Sequence, residues 1–506
     1  MRASSLVTRP CRSSLTLACV LSLAGVLVVA PDAAAQTTVR ASVASNGAEA
    51  NGSSSNAKIS ADRRFVAFGS LATNLGPPDL NFASDIFRHD VVTGITIRVS
   101  VDSNGVQGNG GSYYPAISGD GRFVAFQSEA TNLVPGDTNL FDDIFVHDVL
   151  TGTTTRASLD ANVLEATGDS TLPAISQDGR FVAFSTFAPL VSEDTNGASD
   201  IYVRDLVLRT TTLVSVGVGG LANGDSFLPS LSADGRFVAF QSEASNLVVG
   251  DTNARSDIFV HDRVTGSTQR VSVGANGVEG NGSSLRPSIS ADGNRVAFDS
   301  AATNLGPPDA NGVIDVFVRD ISAGTTTRVS RGLNGAEPND ASWEASISPD
   351  GRFVAYGSFA SNVVEGDTNG MPDIFVHDLT LGTTSLVSVG IRGESNGPPP
   401  GTIDLVGRCR GRVRVVGEQP GRGGHERDAR YLRAPLAGTI GEPARPSPQR
   451  APVNAGLHGG PPERPLAEAR VRAVPRRRLS RSSSSRLRRR DDARSSSISG
   501  PPPAPP

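Results

Sequence analysis

The chain has 506 residues, 47 Lys and Arg against 51 Asp and Glu, and a formal net charge of −4. That near-balance hides a split. Residues 402–506 carry 22 Arg, no Lys and 9 acids, residues 1–35 carry 3 Arg and one acid, and the region between is left at −19. An acidic body of that size repels phosphate backbones and excludes a nucleic-acid partner. Its lack of cysteine excludes disulfides and thiolate metal sites, since Cys11, Cys19 and Cys409 all fall outside it.

Residues 1–35 read as an export leader. Arg2, Arg9 and Arg12 precede a mostly apolar run from Leu15 to Ala30, and Ala33-Ala34-Ala35 offers a cleavage site before Gln36. The run is short for a membrane span, so cleavage is expected to leave an exported chain, periplasmic or secreted, without one.

Next comes a lone strand, Thr38 to Val43, whose Thr-Val-Arg-Ala-Ser-Val resembles the last strand of each unit that follows. Six such units then fill residues 36–401. The first anchor of each unit is S-x-D-G-R-F-V-A-F, with Arg63 and Asn294 as departures. Its aspartate falls at Asp62, Asp120, Asp178, Asp234, Asp292 and Asp350, so the intervals are 58, 58, 56, 58 and 58 residues. A fixed period of this size marks a propeller, a solenoid or an array.

Within one unit the elements are short strands. Phe227–Ser232 is the first, and Pro229 inside it suits a strand that is partly unpaired, or a bulge. Ala233-Asp234-Gly235 is a tight turn. Arg236–Phe240 is β-rich and apolar, as a strand buried on both faces should be. Asp257–Asp262 is the third strand and Thr268–Val273 the fourth. Four antiparallel strands repeated about an axis predict an all-β propeller of four-stranded blades. Naming the strands a to d outwards, the a–b and c–d turns are tight and share one face. The b–c and d–a loops are long and share the other, which is where binding usually sits.

The second anchor, D-x-N-x-x-x-D-I-F-V-H/R-D, lies on that long-loop face and supplies the site candidates. They are Asp79, Asn81 and Asp85; Asp137, Asn139 and Asp143; Asp194, Asn196 and Asp200; Asp251, Asn253 and Asp257; Asp309, Asn311 and Asp315; and Asp367, Asn369 and Asp373. Two carboxylates, an amide oxygen and nearby carbonyls suit a hard cation such as calcium. The same residue types also shape loops by bonding their own backbone in Asx turns. His89, His147, His261 and His377 share one position with Arg204 and Arg319. That exchange argues against metal ligation, because arginine is always a charged donor, and favours packing and pairing with acids. Trp343 and the Tyr113-Tyr114 pair are placed in d–a loops, where they could stack on a ligand. No nucleophile elbow of the G-x-S-x-G type is present.

S-P-D-G-R-F-V-A-Y at Ser348–Tyr356 and D-I-Y-V-R-D-L at Asp200–Leu206 resemble the WD-like, Pro-Asp repeat of the TolB-type β-propellers. The resemblance covers Ser60 to about Gly390 and implies the propeller fold. The expected function is a non-catalytic binding or scaffold module with a protein or carbohydrate ligand on the long-loop face. The alternatives are a propeller lyase or hydrolase and a TolB-like envelope component.

Residues 402–506 read as a disordered Arg- and Pro-rich tail. The period calls for another second anchor at residue 425, where the text is unrelated. Read through the genetic code one base further on, residues 417–435 can encode A-S-N-L-V-x-G-D-T-N-x-x-R-D-I-F-V-H. Asp then arises across Gly424-His425 and again across Arg430-Tyr431. The tail is thus expected to be an out-of-frame seventh blade.

Overall fold

A computed structural model of the chain describes residues 38–390 and three short strands beyond them, 393–394, 404–409 and 412–416. The export leader and the remainder of the tail lie outside the described residues. Six four-stranded sheets follow one another along the chain, each ordered a-b-c-d and antiparallel throughout. Blade 4 is representative, with a at Ser226–Leu231, b at Phe237–Ser242, c at Asp257–Asp262 and d at Ser267–Arg270. Strand d ends three residues before the expected Val273, because Val271 already turns into the next loop, its N–H donating to Ile258 of strand c. Among the described residues the only helical pieces are single turns in two d–a loops, Ala275–Gly277 and Leu333–Gly335. No described helix is long and apolar enough to cross a membrane.

Strands a of successive blades pack on one another, so they line the axis of the ring. There the a–b turns are joined by a relay of backbone hydrogen bonds. Asp62 donates to Gly119, Gly119 to Gln177, Gln177 to Ala233, Ala233 to Ala291 and Ala291 to Pro349, all at 2.8–3.0 Å. The glycine of S-x-D-G is needed twice over. Gly235 has φ +67°, and a Cβ on it would lie 2.5 Å from the Phe181 ring of the blade before. A left-handed backbone and the absence of room both select glycine.

Strand a carries a bulge at Pro229 and its equivalents, two residues against one on strand b in every blade. The first of the two is left-handed although never glycine: Asn56, Tyr114, Leu172, Leu228, Arg286 and Glu344 have φ of 48–56°. Such conformations cost about 1–2 kcal/mol each. In blades 3, 5 and 6 a side chain of the preceding blade caps the bulge, with Gln127 accepting from the Leu172 N–H, Gln241 from Arg286 and Asp299 from Glu344 and Ala345.

The cores lie between blades. Ala67, Ile86 and Val99 of blade 1 pack on Val124, Phe126 and Phe145 of blade 2, and the same positions recur at each later junction. Within every blade an aromatic ring of strand b meets one of strand c at 5.8–6.3 Å, from Phe68–Phe87 to Tyr356–Phe375. Tyr113, Tyr114 and Trp343 belong to strands a, Ser112–Ile117 and Ser342–Ile347, rather than to d–a loops. Strand a begins earlier than the anchor spacing indicated, and Trp343 packs on Phe359 at 4.6 Å.

Candidate functional site

The b–c loop of each blade lies against the d–a loop that follows it, so the two long loops do share a face. Asn81, Asn139, Asn196, Asn253 and Asn311 donate from Nδ2 to the carbonyls of Gly108, Ala166, Ala222, Gly280 and Pro338. The amide oxygens of Asn81, Asn139, Asn196, Asn253, Asn311 and Asn369 accept the N–H two residues on, an Asx turn in all six blades. A second set of asparagines ties the d–a loop to the next b–c loop in every blade but the third. Asn109 accepts the Thr131 N–H and donates its own N–H to Asn132, and equivalents recur at Asn51, Asn223, Asn281 and Asn339. These loops are laced to each other.

The second aspartate of each anchor opens strand c. Asp85, Asp143, Asp200, Asp257, Asp315 and Asp373 are all buried. Each accepts a serine hydroxyl from the segment two residues past the end of strand d, from Ser100 in blade 1 to Ser388 in blade 6. The aspartates alone do not make the site. In four blades strand d sends an arginine between them. Arg156 Nη1 lies 2.9 Å from Asp143, 2.8 Å from Glu165 and 3.6 Å from Asp137. Arg270 Nη1 lies 3.4 Å from Asp257, 2.9 Å from Glu279 and 3.2 Å from Asp251. Arg328 joins Asp315 and Glu337 at 2.9 Å, and Arg98 meets Asp85 at 3.0 Å. Oxygens of Asp309, Asp315 and Glu337 come within 4.8 Å of one another, as a metal site requires, and the Arg328 guanidinium supplies the positive charge there.

Blades 3 and 6 differ. The residue that pairs with the strand-c aromatic is Leu213 in blade 3 and Leu386 in blade 6. Blade 3 compensates: Tyr202 replaces phenylalanine and donates its hydroxyl to Asp194, and Leu221 pairs with Val216 where Glu165 pairs with Leu159. Asp194 itself is buried, and Asn196 donates to Asp200 at 2.7 Å. In blade 6 strand c keeps Phe375, and Asn369 donates to Asp373 at 2.7 Å. Asp79 of blade 1 is reached by Gln107 Nε2, which also bonds Asp85.

Burial governs the titration of these groups. It pushes Asp137, Asp200 and Asp251 up to about 6, with Arg156 and Arg270 opposing it at the first and last. Asp142, beside the site in blade 2, is likewise pushed up to about 6 by burial, against a 2.6 Å hydrogen bond from Gln127. The last aspartate of strand c behaves oppositely. Asp148 is held down to about 2 by its hydrogen bond from Arg122, the arginine of the first anchor. That arginine–aspartate pair recurs in every blade and ties the two anchors together.

The histidines do not pair with acids as expected. His89, His147, His261 and His377 bond through Nδ1 to the strand-d threonines Thr96, Thr154, Thr268 and Thr384. Arg204 and Arg319 reach the corresponding Thr211 and Thr326. One hydroxyl serves both residue types, which explains their exchange. Burial lowers all four histidines.

Sequence reasoning missed two groups. The strand-d arginines looked like ordinary polar positions of an alternating strand. Their absence from blades 3 and 6 was the available sign. Asp299 was invisible because its position is Gln127 or Gln241 in other blades. It is fully buried, and Arg286 pairs with it at 3.1 Å.

The fold and its laced loop face define a β-propeller with six complete blades. No family model and no curated protein matches the chain. Similar solved structures include putative TolB from Agrobacterium tumefaciens, at 17% identity over 59% of this chain and 86% of that one, with a TM-score of 0.37. TolB from Acinetobacter baumannii is 18% identical over 68% of this chain and 65% of that one, at 0.35. The β-propeller domain of the Trilobed protease from Pyrococcus furiosus, described as having an open velcro topology, is 12% identical over 70% and 88%, at 0.43.

Two outcomes follow from the charge clusters. Arg156→Leu strands three acids, so it is expected to cost about 3–5 kcal/mol in denaturant unfolding. Adding Phe145→Tyr and Glu165→Leu, the blade 3 arrangement, recovers part of the loss. No recovery would show that blade 3 balances its charges in some other way. The second concerns pH. Asp142 binds its proton more tightly folded than unfolded. Its contribution is full below about 3.8 and is lost as pH rises through about 6. The histidines run with opposite sign, so the single-site difference is the clean measurement. The melting temperature of Asp142→Asn minus that of the parent should rise between pH 4 and 7, and a flat difference refutes the assignment.

Proposed function

We propose that the chain is an exported, non-catalytic propeller that binds a protein partner on the long-loop face of blades 1 and 2. One observation carries this reading. The b–c loop tips of those two blades hold Leu80 and Phe82, and Leu140 and Phe141, with exposures of 78, 82, 84 and 41%. Phe82 and Leu140 also stand at left-handed φ, 54° and 59°, where blades 3, 5 and 6 use Gly197, Gly312 and Gly370. Large apolar side chains held in a strained backbone and turned to water oppose folding twice. Exposed apolar clusters of this kind mark interaction sites, and local strain gathers at functional positions. The acids and amides of the anchors support the non-catalytic part of the reading. They recur blade after blade, and each described set is engaged in holding its own loop.

The reading is tested by Phe82→Gly with Leu140→Gly. Relief of the left-handed backbone stabilises the fold by about 1–2 kcal/mol per site, while partner capture from the native exported fraction is lost. Stabilisation with unchanged capture would move the binding surface elsewhere, and destabilisation would mean the tips are structural.

We further propose that calcium is taken by the blade 6 loop, through Asp367, Asn369 and Asp373. Strand d offers Leu386 there, where blades 1, 2, 4 and 5 place an arginine, and oxygen-rich loops suit this ion. Millimolar calcium should raise the melting temperature by mass action, magnesium should not, and Asp367→Asn with Asp373→Asn should abolish the difference. Equal shifts with both ions would reduce the effect to screening of the acidic body.

A further inference from the structure

The ring has a seventh place, and its two sides are unlike any other junction. On one side stands the N-terminal segment. Thr38, Arg40 and Ser42 occupy the sequence positions of Thr96, Arg98 and Ser100, the residues in and just past strand d that answer a strand c. The loop after them is already seated as every d–a loop is. Val43 bridges Glu49 as Val101 bridges Gln107. Thr96 donates its hydroxyl to the Val43 carbonyl, as Thr154 does to Val101 and Thr326 to Val273. Ser45 bonds the Thr96 backbone as Ser103 bonds Thr154. Arg40 pairs with Glu49, repeating Arg156–Glu165, Arg270–Glu279 and Arg328–Glu337 at the same nine-residue spacing. Yet residues 38–42 form no strand, and the two aspartates that meet Arg156 have no counterpart at Arg40 among the described residues.

On the other side, Phe353, Ala355, Ile374 and Val376 on the forward face of blade 6 cluster among the described residues with Val387 of their own blade, whereas the same positions of blade 5, Ala297, Val316 and Val318, pack on blade 6. Between the two sides lie strands 404–409 and 412–416. They pair antiparallel with the two-against-one bulge of every a–b pair, and the first lies against strands a and b of blade 6 and strand a of blade 1. Strands a and b of a seventh blade are therefore present, the strand-d segment is in place, and no strand c is found among the described residues.

We propose that this place is the seat of a seventh blade and takes a third strand of the class D-x-N-x-x-x-D-I-F-V-H, specified by the coding text of residues 424–435 read one base further on. Charge sets the choice: Arg40 and Ser42 offer a cation and a hydroxyl where six other strands c present two carboxylates. Register agrees, since the period places that anchor at residue 425.

The seat is tested on the chain as it stands with a labelled synthetic peptide of sequence Asp251–Asp262, a complete third strand. Saturable binding is expected, with a rise in melting temperature, and Arg40→Glu should abolish it. Absence of binding, binding indifferent to Arg40→Glu, or a dimer of the chain that the peptide does not displace overturns the proposal. The source of the strand is tested by removing one base at codon 417, beyond strands a and b. In that product Arg40→Leu should lower the melting temperature as far as Arg156→Leu does, while in the present chain it should shift it little. Equal small shifts in both chains overturn the reading-frame assignment, and should the altered product fail to fold, the peptide measurement stands alone.

Discussion

Six carboxylates sit at the start of the third strands with almost no access to water, and the rest of the blade is arranged around answering them. An isolated buried carboxylate is untenable, so each receives a serine hydroxyl from just past strand d and, in four blades, an arginine from that strand. That demand fixes strand d against strand c in one register, because sliding by a single residue would turn both serine and arginine to the wrong face. The asparagine two places after the first aspartate then closes the loop over the cluster, and its carbonyl partner belongs to the d–a segment leading to the next blade. A charge problem inside one blade is thereby solved by structure that also orients its neighbour.

This gives the ring two independent ties. At the axis, backbone bonds run from one a–b turn to the next, with glycine pressed on the phenylalanine of the preceding blade. At the long-loop face, paired asparagines join the d–a loop to the following b–c loop in every blade but the third. The apolar cores between blades supply most of the burial, but they are nonspecific as to twist and spacing. The polar ties at the two ends set both.

Much of this was legible in the sequence. Strand c was readable to the residue at Asp257–Asp262, because its acids bracket an apolar run. The bulge in strand a was one of the two readings of Pro229, and the shared face of the long loops followed from strand parity. What was not legible depended on distance along the chain. Arg156 lies 13 residues from Asp143, further than any local pattern reaches, and an arginine in an alternating strand looks solvated. The histidine position was misread for a related reason: an acid follows it directly in sequence, but a strand reverses its side chains at each step, so the neighbour that matters is a threonine on the adjacent strand.

Repetition also shows where to look for what is particular to this protein. Where six copies of a residue are held by the same partners, the demand is architectural. Blade 3 departs at Tyr202, Leu213 and Leu221 together, and the three changes cancel, so that departure too is architectural. The departures that do not cancel are few. Phe82 and Leu140 put strained apolar groups in water, Leu386 stands where four other blades place an arginine, and Arg40 keeps half of a charge cluster whose other half is not in the described fold. A uniform ring has no reason to carry any of them for its own stability. They are the places where the proposed contacts fall: a partner at the loop tips of blades 1 and 2, an ion at blade 6, and a strand at the seam.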